Sequence, residues 1–111
     1  MPILPTQPRF VWIDLSTFDV EKATTFYNRV FGWNFWDSDG SGYQIGLLPG
    51  SEAPCASIYE MPAFFQKINM PSFWMTYVAV SDVGATAELA GQLGGKIELE
   101  ENNALGKVAL I

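Results

Sequence analysis

The sequence predicts an α+β fold built from two related halves, the second lacking its last strand. Three observations carry that prediction. Asp19-Val20 and Asp82-Val83 lie about 63 residues apart, and each opens an apolar stretch at helical spacing that closes on glycine, Gly32 in one and Gly95 in the other. Self-similarity of this kind implies two similar βα units that together form one core. Period-two alternation, the mark of half-buried strands, recurs on both sides of each stretch. At the same offset Tyr43 maps to Gly106, so a fourth strand at 55–61 would map beyond residue 111.

The elements follow in order. Phe10 to Ser16 reads as a strand, with Val11, Ile13 and Leu15 on one face and Trp12, Asp14 and Ser16 on the other. Asp19 is placed to cap a helix carrying Val20, Ala23, Phe26, Tyr27, Val30 and Phe31, and Gly32 to stop it. Trp33 to Trp36 opens a second strand, closed by the turn cluster 37–42. Tyr43 to Leu48 is a third and Cys55 to Met61 a fourth, with Pro49, Gly50 and Pro54 bracketing the loop between them. The first half therefore reads β-α-β-β-β. Pro62 and Pro71 bound a connector in which 63–68 form a short helix. The pattern then restarts. Phe73 to Val80 is a strand, and Ser81 or Asp82 caps a helix with Val83, Ala87, Leu89, Ala90 and Leu93. Lys96 to Glu101 is a strand, Asn102-Asn103 a turn, and Gly106 to Ile111 a last strand. Residues 1–8, with three prolines and no basic start, read as an extended lead-in rather than a signal peptide.

Composition narrows the chemistry. With 111 residues, 49% of them hydrophobic, the chain suits one core and is not a disordered tail. Its apolar runs are too short to span a membrane. A net charge of −6 with scattered cations argues against nucleic acid, whose phosphates demand clustered Lys and Arg. The same charge suits solubility or attraction of a cationic ligand. A single cysteine, Cys55, excludes an internal disulfide and makes a reduced, cytoplasmic setting the default. There is no histidine, hence no imidazole for acid–base work, for a nucleophile pair or for a metal. Glu98, Glu100 and Glu101 read as a solvated face beside a turn.

The run Trp12-Ile13-Asp14-Leu15-Ser16-Thr17-Phe18-Asp19, followed by Phe26-Tyr27 and Val30-Phe31-Gly32-Trp33, resembles the vicinal oxygen chelate superfamily. Trp74, Tyr77, Val80, Asp82, Leu93-Gly94-Gly95 and Gly106-Lys107-Val108 resemble its second module. The group includes glyoxalase I, extradiol dioxygenases, fosfomycin-resistance enzymes and bleomycin-resistance proteins. The resemblance implies βαβββ-type modules whose sheets curl around a shared cavity, in one chain or across a dimer. Module one is expected at about 9–62, the connector at 63–72 and the incomplete module two at 73–111. Catalytic members hold a divalent metal through His, Glu or Gln, one ligand coming from each module's first strand seven residues before the capping Asp. Those positions here are Trp12 and Met75. An indole does not ligate, and a thioether is soft for such ions. Of the closing strands, the first offers Glu60 and the second is missing. No cofactor is therefore expected, although the family implies a divalent metal.

Trp12, Asp14, Met75 and Tyr77 are the residues expected to face the cavity, with Tyr43, Glu60 and the rim residue Trp36 beside them. Such a lining, aromatic with few polar groups, suits a small ligand. Trp12 and Tyr77 could sandwich a flat or cationic group and Asp14 fix its charge. The plainer alternative is that these side chains simply fill the interior. Phe64, Phe65 and Met70 in the connector suggest packing against a second subunit, so a homodimer is expected. The strand edge left by the incomplete second module could be covered by that subunit or by the lead-in, unless the gene is truncated. The function expected is metal-independent binding of a small planar or cationic molecule. The alternatives are a metal-dependent glyoxalase-like lyase or dioxygenase, using Asp14 and Glu60 from two chains, and a structural or partner-binding remnant of the fold.

Overall fold

The computed structural model describes residues 8–37, 39–51, 53–103 and 106–111. The lead-in at residues 1–7 lies outside them, as do Ser38 in the expected turn cluster and residues 104–105. Two compact units divide the chain, one from Val11 to Tyr77, the other from Val78 to Ile111 with residues 8–10.

The first unit is built on strand β1 (Arg9–Thr17), helix α1 (Val20–Phe31), β2 (Asn34–Asp37), β3 (Gln44–Leu47), β4 (Pro54–Glu60), helix α2 (Ala63–Lys67) and β5 (Phe73–Ala79). The strands form a mixed sheet in the order β2-β3-β4-β1-β5. β2, β3 and β4 are antiparallel neighbours, and β4 lies parallel to β1 with Asp14 opposite Ser57 and Ser16 opposite Tyr59. This is the β-α-β-β-β order read from the sequence. β5, which opens the second copy of the repeat, is hydrogen-bonded beside β1 at the edge of this sheet.

Local chemistry sets the boundaries of α1. The Asp19 carboxylate accepts the Lys22 amide at 3.0 Å, satisfying one of the helix's orphan donors. Gly32 ends it at φ 75°, its amide donating to the Asn28 carbonyl at 2.8 Å. A Cβ there would lie 3.1 Å from the Pro49 ring and in a left-handed conformation. Gly32→Ala is therefore expected to cost about 1–2 kcal/mol in urea unfolding. An unchanged midpoint would show that the helix stop tolerates a side chain.

The core lies where β1 and β4 run side by side. Leu15, Ala56, Ile58 and Met61 are buried, and the Met61 amide donates to the Thr17 carbonyl at 2.7 Å. Leu15 is register partner of Ile58, so both point to one face. α1 covers that face through Tyr27, whose ring lies 5.8 Å from Trp33 and whose hydroxyl accepts the Trp74 indole N–H at 3.2 Å. The helix buries less than its spacing predicts. Val20, Ala23 and Tyr27 are half-buried, but Phe26, Val30 and Phe31 are each more than half exposed. Phe65 of α2 packs edge-on against Phe73, leaving Phe64 and Met70 exposed.

In the second unit α3 (Val83–Gln92) is capped by Asp82, whose carboxylate accepts the Ala85 amide at 2.9 Å. β6 (Leu99–Asn103) and β7 (Gly106–Leu110) form an antiparallel pair. Asn102 and Asn103 are not the turn that the sequence suggests. They belong to the ladder, pairing with Lys107 and Gly106. The strand also starts at Leu99 rather than Lys96. The Glu98 amide donates to the Leu110 carbonyl at the entry, and Glu98, Glu100 and Glu101 are exposed. No helix among the described residues is long and apolar enough to cross a membrane.

Candidate functional site

The site grows from one face of the first unit's sheet. Alternation along β1 separates Leu15 from Asp14 and Ser16. Register then places Ser57 and Tyr59 of β4, Ile45 of β3 and Trp36 of β2 on the same side as Asp14. Tyr77 of β5 reaches that side too, its hydroxyl donating to Asp14 Oδ2 at 2.9 Å. The Trp12 indole N–H donates to Ser57 Oγ at 3.0 Å, and the Tyr43 hydroxyl lies 2.6 Å from the same oxygen. Tyr43 stacks on Tyr59 with centroids 5.8 Å apart. Ser57 is thus the node that draws Trp12 and Tyr43 together.

Burial controls the electrostatics. Asp14 is 2% exposed, and loss of water pushes its carboxyl up to about 6, with the Tyr77 hydrogen bond pulling the other way. Burial also raises the Tyr77 hydroxyl, and the Asp14 carboxylate raises it further. Tyr43 is raised mainly by burial, Ser57 partly opposing it. Tyr43 and Tyr59 form the wall of a cleft of about 770 Å³, which Gln44 and Glu60 of the sheet and Glu21 and Thr24 of α1 complete. That volume suits a small molecule.

Four of the residues expected at the site, Trp12, Asp14, Tyr43 and Tyr77, share this hydrogen-bonded face. Met75 follows Tyr77 by alternation and is half-buried. Glu60 lies on the opposite face of β4 from Tyr59, since it pairs with Thr17, and reaches the cleft rim exposed. Trp36 is 57% exposed on the edge strand, outside the hydrogen-bonded group. Ser57 was not legible from the sequence, because only the parallel β1–β4 register brings it beside Asp14. Alternation along 55–61 puts it level with Tyr59, the one available signal.

The residues present do not fit the divalent metal that the fold family implies. Trp12 stands at one ligand position with its only polar group, an N–H donor, committed to Ser57. Met75 stands at the other. Among the described residues no three of His, Cys, Asp and Glu come together. Such ions need several oxygen or nitrogen donors in fixed geometry.

Known proteins show where this architecture recurs. The family described as Bleomycin resistance protein-like N-terminal matches residues 9–43. The chain is 36% identical over 90 residues to the "Putative glyoxylase CFP32" of Mycobacterium bovis (strain ATCC BAA-935 / AF2122/97) and of Mycobacterium tuberculosis (strain CDC 1551 / Oshkosh). The match covers 78% of this chain and 33% of each relative, so the chain spans about a third of the length of these curated relatives. The crystal structure of methylmalonyl-CoA epimerase from Mycobacterium tuberculosis shares the fold, with a TM-score of 0.54 at 15% identity over 90% of this chain and 75% of that one. By its first-strand motif, the family match at residues 9–43 and the glyoxylase-named relatives, the chain is similar to glyoxylase-like and bleomycin-resistance-like proteins of the vicinal oxygen chelate superfamily, and it shares their fold.

Proposed function

We propose that the chain binds a small planar or cationic molecule in the tyrosine-walled cleft, without a divalent metal at the family's ligand positions. The observation that supports this most is Trp12, an indole where a metal ligand would stand, tied to Ser57 at 3.0 Å. Stacked Tyr43 and Tyr59 offer ring faces to a flat or positive group, worth about 1–2 kcal/mol when the cation is desolvated. Glu21 and Glu60 set a negative rim, in keeping with the chain's net charge of −6. The glyoxylase-named relatives support a second reading, a metal-dependent lyase.

Native mass spectrometry with and without chelator separates the two and reads the homodimer we also propose. A mass free of chelator-sensitive adducts is expected. Metal-free bleomycin, titrated in chelator, is expected to quench tryptophan fluorescence, and Trp12→Phe to remove part of that quench. A stoichiometric metal adduct that chelator strips, together with bleomycin binding only in its presence, would sink the metal-free reading.

A further inference from the structure

Asp14 and Ser16 stand two residues apart on one face of β1, 2% and 1% exposed. Tyr77 satisfies Asp14 Oδ2, but Asp14 Oδ1 and Ser16 Oγ have no hydrogen-bond partner among the described residues. Buried polar atoms are nearly always paired, and leaving a charged one unpaired is costly. The Trp12 N–H goes to Ser57 and the Tyr77 hydroxyl to Oδ2, so neither serves Asp14 Oδ1. No lysine or arginine pairs with Asp14 among the described residues. What the two oxygens lack is a donor, and what the carboxylate lacks is a positive charge.

Asp14 and Ser16 do not line the cleft themselves but stand on the strand next to its tyrosine wall. Ser16 is the register partner of Tyr59, and Asp14 that of Ser57, so the pair lies one strand inward from the Tyr43–Tyr59 wall. One strand is roughly 5 Å. A ring held against the tyrosines, carrying a nitrogen on a two- or three-bond arm, spans that step. Trp12 and Tyr77 flank the pair through their hydrogen bonds to Ser57 and Asp14, and ring faces favour a cation.

We infer that Asp14 Oδ1 and Ser16 Oγ form the subsite for a protonated amine on the ligand, its N–H groups donating to both oxygens. An ammonium has three donors and no acceptor, which matches a carboxylate and a hydroxyl oxygen. A quaternary ammonium brings the charge without a donor, and an alcohol a donor without the charge. The inference rests on the proposed metal-free binding and names the group that this binding would recognise.

Three probes test it: 2-phenylethylamine, its N,N,N-trimethyl analogue and 2-phenylethanol, each titrated in chelator against tryptophan fluorescence and the Asp14 carboxyl carbon resonance. The amine is expected to bind at least tenfold more tightly than either analogue and alone to move the Asp14 resonance. Ser16→Ala should weaken the amine several-fold, and Asp14→Asn should abolish the preference. Where Asp14→Asn fails to fold, Ser16→Ala, which keeps the carboxylate, still decides. Equal affinity of amine and trimethyl analogue, a silent Asp14 resonance, or no binding of the amine overturns the subsite and leaves the bleomycin result to judge the wider reading. Binding that returns only when zinc is added overturns both.

Discussion

Ile58→Ala is expected to cost about 3–5 kcal/mol, among the largest losses available to a single substitution in the Val11–Tyr77 unit. Ile58 is fully buried in β4. It is the register partner of both Leu15 and Gln44, so it sits in the middle of the sheet where strands flank it on both sides. Alanine removes three carbons and leaves a cavity that paired strands cannot easily close, so the transfer loss and the cavity loss add. Ile58→Val, which removes one carbon, should cost about 0.5–1.5 kcal/mol. Val30→Ala is the contrast: Val30 is 53% exposed on α1, and the change should stay within about 0.5 kcal/mol. Urea unfolding of the three variants measures all of this. A loss below about 1 kcal/mol for Ile58→Ala would mean that β4 does not lie at the centre of the sheet.

Stability is expected to fall as pH rises from about 4 to 6, and Asp14 is the reason. Its carboxyl is pushed from the ordinary 3.8 up to about 6 by burial. Across that window the folded chain holds a proton that the unfolded chain has lost. Raising pH therefore favours unfolding until the folded carboxyl also ionises, after which the effect is flat. The penalty should be about 1–2 kcal/mol, after allowing for screening by the half-wetted side chains around it. Asp14→Asn keeps an oxygen for the Tyr77 hydroxyl and removes the charge, so the difference between parent and variant isolates this one group from the other carboxylates. The variant's relative stability should climb between pH 4 and 6 and then hold level. Tyr77→Phe deletes the donor to Asp14 Oδ2, and should move the window to higher pH while costing about 1.5–3 kcal/mol at pH 8. Parallel curves for parent and Asp14→Asn would show that Asp14 titrates as an ordinary surface carboxylate.

Much of the candidate site could be read before any coordinates. Alternation put Trp12, Asp14 and Ser16 on one face of β1, and the repeat named Tyr77 as a counterpart in β5. Both hold, with a hydrogen bond between residues 63 positions apart, Tyr77 and Asp14. Other assignments depended on registers that no local pattern encodes. Glu60 alternates away from Tyr59 and arrives at the cleft only because β4 ends there. Trp36 shares the face of Asp14 but stands on an edge strand. Asn102-Asn103 has turn composition, yet pairing of 103 with 106 carries both residues into the ladder.

The sequence by itself determined what depends on neighbours a few residues away. Asp19, Asp82 and Gly32 act through bonds spanning three or four residues, so composition at those points suffices to place helix ends. It also shows that no imidazole is present, and the family resemblance puts Trp12 and Met75 at the positions where metal ligands are expected. Only the tertiary structure decided that β4 runs parallel to β1, and everything at the site follows from that pairing. It seats Ser57 beside Asp14, draws Trp12 and Tyr43 onto one hydroxyl from 45 and 14 residues away, and strips water from the Asp14 carboxylate. A strand's alternation says which side chains share a face. It does not say which strand will lie alongside, because that choice is made by the burial of the whole sheet.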